Sequence, residues 1–179
     1  ERGGKLHIVD VAVAEMEELA GTHDLVLLAG GKGEIVKMLT VNEERSPVKQ
    51  PMRSLALTYL SGMKRHDYIE CVNFNLIPGV GEYFVFPSLT VDGPYGSGKT
   101  KACDIMVMEG VPGGPMDRWH ECKDAADHLQ MSRDIMKQFL PWEYERMKEC
   151  QLTDDNGILA GRCRPCVRDP VLHLPSGRQ

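Results

Sequence analysis

IECVNFNLIPGVGEYFVFPSLTVDGPYGSGKTKACDIMVMEGV, residues 69–111, is the stretch whose reading decides the fold. It is the longest β-rich tract in the chain. Within it, Gly93-Pro94-Tyr95-Gly96-Ser97-Gly98-Lys99-Thr100 fits the phosphate-loop pattern G-x-x-x-x-G-K-[ST] at every position. As a nucleotide loop, the octet must follow a buried parallel strand and open a long helix, whose N–H groups and dipole hold the phosphates. As a hairpin loop, its glycines and proline need only turn the chain between two strands. After Thr100 the chain reads Lys-Ala-Cys-Asp-Ile-Met-Val-Met-Glu and reaches Gly110-Val-Pro-Gly-Gly-Pro115 within ten residues, and 105–107 suits a strand. That leaves no room for the long helix. The upstream run alternates like a half-exposed strand, not like a buried parallel one, and no downstream apolar strand ends in an aspartate to hold magnesium. The octet therefore reads as a wide hairpin loop. A nucleoside-triphosphate-binding enzyme using Lys99 and Thr100 stands as one alternative, and a non-catalytic binding module as another.

Outward from this tract, the alternation at 53–60 and 68–75 marks two strands, and Pro78-Gly-Val-Gly81 marks the turn before a β-rich run at 83–86. Pro87 and Ser88 suggest a bend before 89–91, and 104–108 supplies another strand. An antiparallel meander of four or five strands is the economical assembly. Residues 117–150 then read as helical, broken at Pro141, with Ala125, Leu129, Ile135, Met136 and Leu140 near one face. Upstream, 5–8 alternates like a short strand, 11–20 like a helix, and 23–31 is a continuous apolar run into Gly30 and Gly31. That β-α-β-Gly order is the edge of a nucleotide-binding α/β domain, where ligands approach the carboxyl ends of strands; a short helix is expected over 33–39. Residues 157–167 are mixed, and 171–174 reads as a strand followed by a turn. The expected class is α+β: an antiparallel or mixed sheet with a following helical segment, plus a partial α/β edge. The expected divisions are 1–45, 46–156 and 157–179.

Across 179 residues, 42% hydrophobic and 26% charged, the composition is that of a globular chain. A net charge of −5 with no basic stripe argues against a nucleic-acid partner, and Lys64-Arg65-His66 reads as a solvated loop. No apolar run approaches the ~18 residues that span a bilayer. Six scattered cysteines in a chain large enough to build a core point to a reduced, cytoplasmic setting rather than a disulfide framework. Residues 1–4 resemble a helix end with its glycine cap, and 174–179 stop just past a turn signal, so the chain reads as a piece of a longer protein.

Other chemistry-bearing patterns are thin. Cys163-Arg-Pro-Cys166 lacks the second pair a zinc site wants and the strand-to-helix context of a redox dithiol. His120, Cys122 and His128 lie close on helical sequence, but no carboxylate joins them at a ligand spacing, so no metal is expected. Leu60-Ser-Gly62 lacks the first glycine of a nucleophile elbow.

Taken in order, several segments resemble the flavoprotein monooxygenases of the styrene and indole monooxygenase family. Arg2-Gly-Gly-Lys5 and Asp24-Leu-Val-Leu-Leu with Gly30 and Gly31 are similar to a late strand of that family's FAD domain. Ser46-Pro and Gln50-Pro-Met-Arg-Ser-Leu-Ala56 are similar to the crossing into its substrate domain. Phe74-Asn-Leu-Ile-Pro-Gly-Val-Gly-Glu-Tyr-Phe-Val-Phe-Pro-Ser-Leu-Thr90 resembles its hairpin, and Gly157-Ile-Leu-Ala-Gly161, Pro165-x-Val-Arg-Asp169 and Leu174-Pro-Ser-Gly177 its return strands. Arg162 and Cys163 stand where apolar residues are expected.

The resemblance implies a two-component enzyme. A separate reductase supplies reduced FAD, and a flavin hydroperoxide transfers oxygen to an aromatic alkene or an indole-like apolar substrate held beneath a β-sheet. It also implies that most of the FAD site lies outside this chain, which alone is inactive and has no catalytic residue to name; Gly30 and Gly31 would approach the flavin by backbone. One sheet face should line the pocket: Leu76, Tyr83, Val85, Ile105 and Val107, or in the opposite register Phe84, Phe86, Met106 and Met108. A homodimer is among the assemblies this allows.

Overall fold

The computed structural model describes residues 3–31, 34–67, 71–94, 97–154 and 157–169. Its elements follow in the order α1 (Val13–Thr22), a 3-10 turn (Glu34–Met38), β1 (Arg53–Ser61), β2 (Asn73–Ile77), β3 (Gly81–Val91), β4 (Thr100–Gly110), a 3-10 turn (Trp119–Glu121), α2 (Ala125–Phe139), α3 (Pro141–Met147), β5 (Gln151–Leu152) and β6 (Ile158–Cys163). They fall into two units, Val48–Pro165 and the remainder, each described on its own.

The larger unit is an open six-stranded sheet in the order β2-β3-β4-β1-β5, with β6 also against β1, and every pairing is antiparallel. β5 and β6 occupy the same side of β1. Tyr59 accepts from the Thr153 N–H (3.1 Å) and donates to the Gly157 carbonyl (2.7 Å), closing the ladder on either side of the excursion between them.

Each turn sets its register by how many residues it holds. Ile77 pairs with Gly81, leaving 78–80 to turn; Val91 pairs with Thr100, leaving 92–99. The first turn needs glycine twice over: Gly79 has φ +75°, and Gly81 has φ +156° with its would-be Cβ only 2.3 Å from the Glu109 carbonyl oxygen. β3 runs straight through Pro87, without the expected bend. β2 ends against β3 at Val85, so among the described residues β3 has a partner on one side only at Pro87, where a missing N–H is tolerated.

Because side chains alternate, the sheet has two faces. The rear face presents Ala56, Leu60, Tyr83, Val85, Met106 and Met108 to Leu129, Ile135 and Met136 of α2 and to Leu140 and Met147. These make the core. Methionines at 106, 108, 116, 136 and 147 are fully buried there; their flexible thioethers fill the irregular gap between a twisted sheet and two helices. Asp124 caps α2 by accepting from the Asp127 N–H at 2.9 Å, and Pro141 opens α3 at a position where no N–H is needed.

In the smaller unit α1 forms close to where the periodicity predicts it, and the Glu15 carboxylate accepts from the Ala12 N–H. The 3-10 turn Glu34–Met38 takes the place of the expected short helix. No strand forms at 5–8, and the apolar run 23–31 forms none either: Leu25 and Leu27 are 74% and 84% exposed. A strand exists only through ladder partners, and the described bridge of this unit, Val41 with Arg168, involves neither run. The strand and turn expected at 171–177 lie outside the described residues.

Candidate functional site

The front face of the sheet, opposite the one that α2 and α3 pack against, carries an apolar band two rows deep. One row crosses the strands as Leu159, Leu57, Val107, Phe84 and Phe74; the next as Tyr59, Ile105 and Phe86. None of these residues belongs to the rear core. Phe84 stacks between Phe74 and Phe86, with ring centroids 6.3 Å apart on both sides. Ile105 and Val107 at the centre are buried, whereas Phe74 and Leu159 at the flanks are 56% and 66% exposed.

Polar groups bound the band along the strands. At one end Arg53 bridges Glu82 (3.2 Å) and Glu109, and at the other Cys103 is paired with Ser88. The band is thus a flat aromatic and aliphatic surface framed by charge and hydroxyl.

Neither sequence-derived set of pocket residues is a single face. Leu76, Ile105, Val107, Phe84 and Phe86 point forward, while Tyr83, Val85, Met106 and Met108 point into the rear core. The physical reason is the length of the 92–99 loop: an even number of turning residues pairs odd positions of β3 with even positions of β4. Sequence reading missed Leu57, Tyr59, Phe74 and Leu159, although the alternation of Arg53–Ser61 already displayed the first two.

The rear face holds a buried polar network. Glu143, 1% exposed, accepts from Asn73 Nδ2 (2.7 Å), Arg146 Nη1 (2.7 Å) and the Tyr83 hydroxyl (3.3 Å). Asn75 Nδ2 extends the chain to Asn73 Oδ1 (3.1 Å). Burial, with the Glu143 charge beside it, drives the Tyr83 hydroxyl well above its ordinary range, so it stays a donor. The loop expected to be merely solvated joins in: Arg146 Nε donates to the Lys64 carbonyl (3.0 Å), Arg65 pairs with buried Asp104 (2.6 Å), and His66 Nε2 lies 3.1 Å from Asn73 Nδ2.

A groove of about 590 Å³ lies along β6, lined by Ser54, Asp117, Trp119, His120, Ala160, Gly161 and Arg162. Arg162 grips Asp117 with a two-point fork, Nε at 3.0 Å and Nη2 at 2.8 Å. Burial by itself would raise the Asp117 carboxyl. Arg162, the Gly113 N–H and Ser54 overcome it and hold that carboxyl at about 2.

The remaining motifs resolve simply. Gly93–Thr100 is the β3–β4 hairpin loop: the Asp92 N–H donates to the Lys99 carbonyl (2.9 Å), Ser97 Oγ donates to the Asp92 carbonyl (2.9 Å), and Thr100 begins β4. Tyr95 and Gly96 lie outside the described residues. Because a strand and not a helix follows the octet, the nucleotide-binding alternative through Lys99 and Thr100 loses its physical basis. No disulfide joins any of the six cysteines. His128 is buried against the Trp119 ring (4.8 Å) with Thr58 Oγ1 at 3.0 Å, His120 is exposed, and Cys122 Sγ faces Met131 Sδ at 3.7 Å. Among the described residues no three His, Cys, Asp or Glu side chains group as a metal site. No helix among them is long and apolar enough to cross a membrane. In the smaller unit, the side of Gly30 that would bear a Cβ is filled by Val36 and Ile35 at 2.7 and 2.8 Å, whereas Gly31, φ +58°, has open space beside it.

Residues 31–146 match the protein family described as "Styrene monooxygenase A putative substrate binding domain". Two curated relatives, both styrene monooxygenase StyA, come from Pseudomonas fluorescens and from a Pseudomonas species. They are 26% and 32% identical to this chain over 183 residues, taking in 99% of it. The chain spans 42% of the length of each relative.

Proposed function

Since the chain belongs to the styrene monooxygenase A substrate-binding domain family, we propose that its front sheet face is the wall of an apolar pocket in an FAD-dependent monooxygenase. The observation that carries this reading is the two-row band centred on Phe84, Ile105 and Val107, on the sheet face opposite the one that α2 and α3 pack against. Stacked phenyl rings offer a flat aromatic molecule a surface matched in shape and polarity. The substrate class that fits is a small, flat, apolar aromatic, such as an aromatic alkene or an indole.

When bound, reduced FAD would supply an electrophilic oxygen atom from dioxygen, and a separate reductase would deliver that flavin. The chain's own residues bind, orient and keep dry. Phe84 and Phe86 hold the aromatic plane, Ile105 and Val107 exclude water behind it, and the Arg53–Glu82–Glu109 group closes one end. Of the two glycines expected near the flavin, Gly31 has the backbone that a nucleotide could approach; Gly30 is small to admit Val36.

The test uses the full-length gene product with an NADH-driven flavin reductase, offered an aromatic alkene and indole separately. Chromatography should show an oxygenated product, and Phe84→Ala should lower kcat/KM about tenfold through loss of one aromatic contact surface. Consumption of reduced FAD and oxygen by the wild type with hydrogen peroxide as the sole product would sink the reading.

A further inference from the structure

Buried ion pairs are poor sources of stability; an apolar replacement of similar volume often does as well or better. The network around Glu143 therefore needs another account, and its position offers one. Among the described residues β2 is an edge strand of five residues, Asn-Phe-Asn-Leu-Ile, with Asn73, Asn75 and Ile77 on the rear and Phe74 and Leu76 in front. In front, Phe74 and Leu76 are both more than half exposed. Behind, Asn73 is tied to Glu143 at 2.7 Å and Asn75 is tied to Asn73. The same carboxylate takes the hydroxyl of Tyr83 on β3, while Arg146 supplies its countercharge and is itself bonded to the Lys64 carbonyl. One side chain of α3 thus holds β2 and β3 together from the rear. The residues immediately following its two anchors are Phe74 and Phe84, the stacked pair of the front face.

We propose that Glu143 is a positioning residue: from behind the sheet, through Asn73 and Tyr83, it fixes β2 against β3 and so sets Phe74 against Phe84. The substrate consequence rests on the pocket-wall reading given above; the mechanical consequence does not. A buried charge accepting three hydrogen bonds has one satisfactory arrangement, whereas an apolar contact there would tolerate several. Sub-ångström placement of an aromatic wall is what distinguishes the two faces of a flat alkene, which give mirror-image epoxides.

The experiment compares Glu143→Gln and Tyr83→Phe with Leu129→Ala, a core change on α2 that destabilises without touching the network. All are made in the full-length protein. The first measurement is hydrogen exchange of the β2 amides. Exchange confined to β2 should rise about tenfold in Glu143→Gln and less in Tyr83→Phe, while Leu129→Ala leaves β2 no looser than the rest of the sheet. The second is turnover of a styrene-like alkene. Tyr83→Phe should raise KM about fivefold, the scale of one hydrogen bond, hold kcat within about twofold, and erode the enantiomer ratio of the epoxide; Leu129→Ala should preserve that ratio. Equal β2 exchange in Glu143→Gln and Leu129→Ala overturns the proposal, as does an unchanged enantiomer ratio alongside a loosened β2. A wild type that oxygenates no aromatic removes the pocket-wall reading instead, and the exchange comparison still decides whether Glu143 holds the strand.

Discussion

Single residues in this chain are held by burial working against charge, and pH exposes the balance. The Asp117 carboxyl titrates lower in the folded chain, at about 2, than its ordinary 3.8. Its stabilisation is therefore complete above 3.8 and drains away as pH falls toward 2. The shift corresponds to about 2 kcal/mol at most, reduced because Arg162 is half exposed and partly screened. Urea unfolding of Asp117→Asn should show a flatter stability slope across that acid window than the wild type; an identical slope would mean that the Arg162 fork contributes nothing. His128 behaves in the same sense for a different reason. Burial alone lowers its pKa from 6.5, so the folded chain binds fewer protons than the unfolded one. Stability should be full above 6.5 and decline below it, and His128→Asn should abolish that dependence in unfolding curves measured on both sides of 6.5.

Elements were legible in proportion to how local their signals are. Glycine and proline spacing marked the 78–81 turn, alternation marked β1 and β2, β-forming residues marked β3, and an apolar stripe broken at Pro141 marked α2 and α3. Gly81→Ala should cost about 2–3 kcal/mol, since both its φ and the Glu109 carbonyl oppose a Cβ; the urea midpoint measures it, and a neutral result would imply a relaxed turn. The phosphate-loop octet was read correctly because a missing helix is itself a local signal. Calorimetry with magnesium-ATP should detect no binding, and Lys99→Ala should leave stability within about 0.5 kcal/mol. What stayed hidden was register. Tyr83 and Val85 were grouped with Ile105 and Val107, although the even-numbered 92–99 loop sends the two pairs to opposite faces. The Glu143 network was equally invisible, because Asn73 and Tyr83 lie 70 and 60 residues from Glu143 and only the packed sheet and helices bring them together. The run 23–31 misled in the other direction: its composition announces a buried strand, but a strand needs neighbours as well as composition.

For the whole molecule, the antiparallel sheet separates two tasks that the sequence interleaves residue by residue. Rear-facing positions of β1, β3 and β4 build a core with α2 and α3, and on the proposed reading front-facing positions serve a flat apolar ligand. Substitutions should divide accordingly. Met106→Ala, in the rear core, should lower stability by about 2–4 kcal/mol; Phe86→Ala, in front, should cost less than half of that in unfolding but weaken binding of an aromatic probe followed by fluorescence. If both changes destabilise equally, the front face is part of the core and the division fails. The same arrangement bears on handling the protein at all. Among the described residues β2 ends the sheet with no strand on its outer side, and it carries no charged side chain and exposed Phe74 and Leu76. Such an edge is a template on which other chains add as strands, so colloidal behaviour hangs on five residues. A single lysine there, Leu76→Lys, should raise soluble yield and delay light scattering on warming, with the midpoint of unfolding barely moved.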